Sequence, residues 1–208
     1  MNKDNYSLLI EKLDGFIRKF YINQLLRGAL YTVSAVLGLF VLLNVAEYYL
    51  YFGTTTRTVL FWSFLGMSGF ALWRWVATPL MHYFHLGQVI SHEQAATIIG
   101  QHFTNVKDKL LNILQLKQQS SNAIYAELIN ASINQKSEEI RLVPFQSAID
   151  LGKNRKYLRY ALPPIMLLLF LMLGAPNIIR EGTMRLWNSG TRYEKPAPFR
   201  FILNADTL

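Results

Sequence analysis

The chain contains no cysteine, so neither a disulfide nor a thiolate metal site can contribute to it. Acidic residues are also scarce, 13 against 21 lysines and arginines, which leaves a formal net charge of +8. Long segments have no charge at all. Three apolar stretches, Gly28 to Ala46, Thr58 to Trp73 and Tyr160 to Ile179, contain no Asp, Glu, Lys or Arg, and arginine stands at their edges. The third lies between Arg159 and Arg180. A helix rises about 1.5 Å per residue, so some twenty residues cover roughly 30 Å, the thickness of a bilayer's hydrocarbon core. A water-soluble helix needs a polar stripe, and the run from Pro164 to Leu173 has none.

Apolar residues make up 51% of the chain and charged residues 16%, and mean hydropathy is +0.17. That mixture predicts an all-α membrane protein: three transmembrane helices, a small cytoplasmic helical unit and a short extended C-terminal tail. The expected divisions are an amphipathic N-terminal helix over residues 1–24 and a transmembrane hairpin over 25–80. A cytoplasmic helical unit follows over 81–156, then a third span over 157–179 and an outward segment over 180–208 that begins a β domain.

The N-terminus lacks the pattern of a cleaved signal peptide, since Asp4, Glu11 and Asp14 precede the first apolar run. Leu9, Leu13, Phe16 and Phe20 recur at helical spacing instead, with Ile10 and Ile17 beside them. For topology, one side carries Lys12, Arg18, Lys19, Arg27, Arg74, Lys153, Arg155, Lys156 and Arg159, and the other Arg57, Arg180, Arg185 and Arg192. The heavier side is expected in the cytoplasm. This gives a multi-pass bacterial inner-membrane protein with its N-terminus cytoplasmic and its C-terminus periplasmic. Arg27, Arg74, Arg159 and Arg180 edge the spans and, with Trp187, are expected as interfacial anchors to the lipid bilayer.

A short turn around Gly53 makes a hairpin of the first two spans. Ser34 and Gly38 on one, and Ser63, Gly66 and Gly69 on the other, offer small faces for close approach between them. Pro163 and Pro164 fit the start of the third span, where a missing N–H costs little. In the central region Ser91 to Gln94 reads as a capping box, followed by a helix with Ala95, Ile98, Ile99 and Phe103 on one side. A second stripe is Val106, Leu110, Ile113 and Leu114. A third helix, capped by Ser121 or Asn122, carries Ile124, Leu128, Ile129 and Ile133 and ends near Leu142. Asn177 to Trp187 reads as a short interfacial helix, and Phe199, Phe201 and Leu203 alternate like a strand.

Candidate chemistry is sparse. Gly66-Met-Ser-Gly69 lacks the lysine of a nucleotide loop. His82 and His85 are one turn apart, and His92 or Glu93 could join them, but such histidines beside a span are ordinary interfacial residues. No cofactor, metal or catalytic set is expected. The basic residues are scattered without an aromatic platform, so nucleic acid is not an expected partner. Asn44 is the one strongly polar side chain well inside a span, and Glu47 is placed to pair with Arg57 across the outer turn.

The run Gln94 to Phe103 followed by Lys107 to Leu116 resembles the N-terminal region of a family of long bacterial inner-membrane proteins of unknown function. The likeness covers nearly the whole layout but only some twenty motif residues, and Asn105-Val106 stands where the family often has a proline. The resemblance implies a large periplasmic part with an immunoglobulin-like start and a cytoplasmic MoxR-type AAA ATPase as partner. Together these readings predict a non-enzymatic membrane anchor and protein-interaction module. The alternative is a small transporter or channel subunit using Asn44 and Glu47.

Overall fold

The computed structural model describes residues 5–84, 90–119 and 126–194, and every regular element among them is helical. In chain order they are α1 (Asn5–Leu50), α2 (Thr54–Tyr83), α3 (His92–Gly100), α4 (Lys107–Gln119), α5 (Ala126–Glu139), α6 (Arg155–Gly174) and α7 (Pro176–Trp187). Three of these helical segments are long and apolar enough to cross a membrane: α1, α2 and the segment ending in α6. The proposed caps Ser121 and Asn122, Ile124, His85 and the strand-like run 199–203 lie outside the described residues.

The described residues divide into two compact units, one up to Tyr31 and from Leu72 to Leu158, the other from Thr32 to Ala71 and from Arg159 onward. The first has an apolar core. Leu13, Phe16, Ala95, Ala96, Ile99, Leu110 and Ile113 are fully buried there, with Ile133, Ile140 and Phe145 close to it. The stripes of α3 and α4 meet as their periodicity predicts. The capping box forms as well: Ser91 Oγ accepts from Gln94 N at 3.2 Å, and Ser91 N donates to Gln94 Oε1 at 3.0 Å.

The amphipathic N-terminal helix runs on into the first span without a break, since α1 is continuous over 46 residues from Asn5. Its first turns, through Leu9, Leu13, Phe16, Ile17 and Tyr21, belong to the same core as α3, α4 and Ile133 of α5. Three short helices leave a groove that a fourth must fill, and the start of α1 fills it.

α2 contains a single π turn, Trp73–Ala77. Pro79 lacks the N–H that would reach the Trp75 carbonyl, and the backbone loosens by one residue just before it. Thr78 Oγ1 donates to Trp73 O at 2.9 Å across that turn.

The second unit holds the rest of α1 and α2 with α6 and α7. The third apolar stretch departs from expectation at both ends. α6 begins at Arg155, so Pro163 and Pro164 lie inside the helix and do not start it. It ends at Gly174, and Ala175, with φ −147° and ψ 62°, breaks the chain before Pro176 opens α7. Ile178, Ile179 and Arg180 therefore belong to α7, where proline at the first turn is favourable.

Candidate functional site: a buried polar cluster in the apolar unit

Arg57 is fully buried in the second unit beside an equally buried Glu47. Its Nε and Nη2 both approach Glu47 Oε1, at 3.0 and 2.9 Å. Its Nη1 donates to Thr191 O and its Nη2 to Phe52 O, each at 2.7 Å. The guanidinium also sits 4.9 Å from the Tyr193 ring centroid. The anticipated pair across the α1–α2 turn forms, and it recruits the chain after α7. Removing a charge from such a pair leaves its partner buried and uncompensated, at a cost of about 3–5 kcal/mol.

Asn44, one turn before Glu47, is also fully buried. Its Nδ2 donates to Phe40 O at 2.7 Å, and its Oδ1 accepts from Thr183 Oγ1 of α7 at 2.8 Å. Gly182 makes this approach feasible, because a Cβ there would lie 2.8 Å from both Asn44 O and Oδ1. Arg185, three residues on, donates to Glu181 Oε2 at 2.6 Å and stacks on Tyr51, 4.2 Å from the ring centroid. Tyr51 takes φ 49°, a left-handed conformation unusual for a bulky residue. Its N–H closes the end of α1 on Glu47 O at 3.1 Å, and the Arg185 stack holds its ring. Glu47 Oε2 and Arg185 Nη1 are buried without a hydrogen-bond partner.

The small-residue faces sort differently from the expectation. Ser34 Oγ donates to Tyr160 O of α6 at 2.7 Å, and the position of a Cβ on Gly38 would be 4.0 Å from Pro164 Cβ. Pro164 has no N–H to offer the Tyr160 carbonyl four residues back, so the Ser34 hydroxyl supplies the missing donor. The face on α1 thus serves α6. Ser63, Gly66 and Gly69 on α2 are exposed, and both glycines face open space.

Among the expected anchors, Arg159 donates to its neighbour Tyr160 OH at 3.2 Å, and Arg180 is exposed. Trp187 is 74% exposed, with its ring centroid 6.1 Å from that of Phe61. In the first unit, Arg27 lies over the Tyr157 ring at 5.8 Å, and Arg27 and Arg74 line one cavity. His82 stacks edge-on to Tyr21 at 5.3 Å, and His92 Nε2 lies 2.9 Å from Asp14 Oδ1.

Sequence reasoning missed Arg185, Thr183, Thr191 and Tyr193 as members of the polar cluster. The signal for Arg185 was present: Ile178, Gly182, Arg185 and Leu186 recur at helical spacing and are the buried face of α7. No family model matches the chain, and neither does a curated protein or a solved structure.

Proposed function

We propose that this chain is a non-enzymatic anchor and interaction module of a bacterial inner membrane, and the N-terminal part of a larger envelope protein. The observation that carries the reading is the inverted burial of the second unit. It hides Asn44, Glu47 and Arg57 while exposing Leu42, Trp62, Phe70, Phe170 and Leu173, an arrangement suited to lipid and unfavourable in water. The first unit, with its apolar core and polar surface, is the cytoplasmic part, on the strength of the arginine and lysine bias. The tail after Tyr193 leads into the periplasm.

In this reading the polar cluster is structural. Arg57 is committed to one carboxylate and two carbonyls, so it is poorly placed to serve a transport path. Its role is to tie the segment that leaves α7 to the α1–α2 turn, and so to set the direction of whatever follows. The polar surface of α5, at Gln135 and Glu138, meets a cytoplasmic protein, for which the family resemblance suggests a MoxR-type ATPase.

Topology tests the reading first. A reporter active only outside the cytoplasm, fused at Thr56, Asn122 and Leu208, should report at Thr56 and Leu208 and stay silent at Asn122. Activity at Asn122 alone would invert the molecule and remove the cytoplasmic partner. Photo-crosslinkers at Gln135 and Glu138 should then capture the ATPase in cells; no adduct at either position would sink the interaction half of the proposal.

A further inference from the structure

The cavity shared by Arg27 and Arg74 lies wholly within the first unit and measures about 320 Å³. Gln24, Arg27 and Tyr31 of α1 wall one side, and Arg74, Trp75 and Pro79 of α2 the other. Among the described residues no carboxylate lines it. Among the described residues Arg74 is exposed and makes no ion pair, and Arg27 is held by the Tyr157 ring. Two cations therefore face one concave space, and none of the described carboxylates neutralises them there.

The backbone builds this space. Gly28 is the contact point: a Cβ there would fall 1.9 Å from Trp75 O, so only glycine admits that approach. The π turn at Trp73–Ala77, set by Pro79, carries both Arg74 and Trp75. π turns are rare and concentrate at functional sites. Tyr31 is wedged between Trp75 and Tyr157, with ring centroids 5.9 and 5.1 Å away, which stiffens the α1 wall.

We propose that Arg27 and Arg74 form one binding site for a phosphate group, occupied by the headgroup of an anionic lipid. The inference rests on reading α1 and α2 as membrane-embedded. A guanidinium fork matches phosphate oxygens in pairs, which favours arginine over lysine at such a site. The volume is at the small end of ligand sites. It accommodates a headgroup and leaves acyl chains outside, along the exposed Leu72, Trp73, Leu80 and Met81 of the same helix. Aromatic side chains at headgroup depth and basic pockets between membrane helices are the general features of lipid recognition.

The test uses the full chain in detergent, probed by native mass spectrometry with phosphatidylglycerol, phosphatidylcholine and inorganic phosphate in separate arms. Phosphatidylglycerol should be retained in preference to phosphatidylcholine. Retention should fall at least tenfold in the Arg27→Gln/Arg74→Gln double variant. A Lys153→Gln/Arg155→Gln control, with the same loss of charge outside the cavity, should change it less than twofold. Replacing both arginines by lysine should restore part of the binding, and circular dichroism of each variant reports its helix content. Equal losses in both double variants, or no loss in either, would overturn the site. Binding of inorganic phosphate with the same sensitivity, and none of the lipid, would overturn the lipid occupant and assign the site to a soluble phosphate. Carbonate extraction of the wild type separates the two failures. A chain released from membranes sinks the membrane reading, whereas one retained in membranes without lipid specificity sinks only this inference.

Discussion

The two units both bury apolar side chains, but they differ in the charged groups they bury and the large apolar groups they expose. The first hides Leu13, Phe16, Ile99, Leu110 and Ile113 and keeps Lys109, Glu139 and Arg141 at its surface. The second hides Asn44, Glu47, Arg57 and Arg185 and exposes Val59, Trp62, Leu65, Phe70, Met166 and Phe170. In water the hydrophobic effect holds a core together at roughly 25 cal/mol per Å² of apolar area buried. Lipid removes that term between helices, and cohesion falls to packing, hydrogen bonds and close approach of backbones. The contacts of the second unit are of that kind: Ser34 on a carbonyl freed by proline, Gly182 against Asn44, and an ion pair at the hairpin turn.

That contrast can be broken by exchanging the kinds of mutation between the units. Phe16→Ala should cost about 3–5 kcal/mol through a cavity in the first core, read as faster amide exchange across α3 and α4. Leu65→Ala, an apolar deletion at a half-exposed position in the second unit, should change exchange in α7 by comparison very little. Equal effects would refute the contrast.

Charge deletion should have the converse pattern. Arg57→Met alone strands Glu47 and should cost about 3–5 kcal/mol, seen as loss of protection in α7 and at the α1–α2 turn. The Glu47→Leu/Arg57→Met pair should recover most of that loss, because matched apolar groups need no compensation. A double variant as unstable as the single one would mean that the contacts to Thr191 and Phe52 dominate.

Close approach predicts a smaller effect. Gly182→Ala puts a methyl group against Asn44 and should cost about 1–3 kcal/mol by overpacking, with Ser34→Ala costing about 1–2 kcal/mol through an unpaired Tyr160 carbonyl. Thermal unfolding in detergent would rank them, and a neutral Gly182→Ala would show that α7 is free to shift.

The smallest effect belongs to the Lys109–Glu139 bridge at 2.7 Å on the first unit. Hydrogen bonding and charge from Lys109 hold the Glu139 carboxyl below its ordinary pKa. A folded pKa below the unfolded one means the contribution is present above the unfolded value and is lost as pH falls through the folded one. Both groups are about half exposed, with 47% and 46% of their side-chain surface open, so salt should weaken the effect. An NMR titration of Glu139 with and without Lys109→Gln should show the pKa rise in the variant; an unchanged value would dismiss the bridge.

Legibility in the sequence followed the range of each interaction. The capping box spans three residues and the Glu47–Arg57 pair ten, and both were readable from spacing and charge. The apolar stretches were equally clear, since length and absence of charge are local properties. The end of the third stretch could be read as a span reaching Ile179 or as a short helix from Asn177, and α7 takes the second, with Ala175 breaking the chain before Pro176. Pro163 and Pro164 misled for a physical reason. Part of the cost of proline within a helix is the carbonyl it frees, and at Tyr160, freed by Pro164, the donor that answers it comes from Ser34, 126 residues away in sequence.

The sequence by itself determined where helices form, which are apolar enough for a membrane, and that the hairpin turn carries opposite charges. Tertiary structure decided which surfaces those helices share. It assigned the start of α1 to the core of the first unit, gave Ser34 and Gly38 to α6, and closed α7 over Asn44 through Gly182. Periodicity and charge are properties of neighbours along the chain, whereas a missing donor or a missing side chain acquires its partner only when a distant helix comes within about 3 Å.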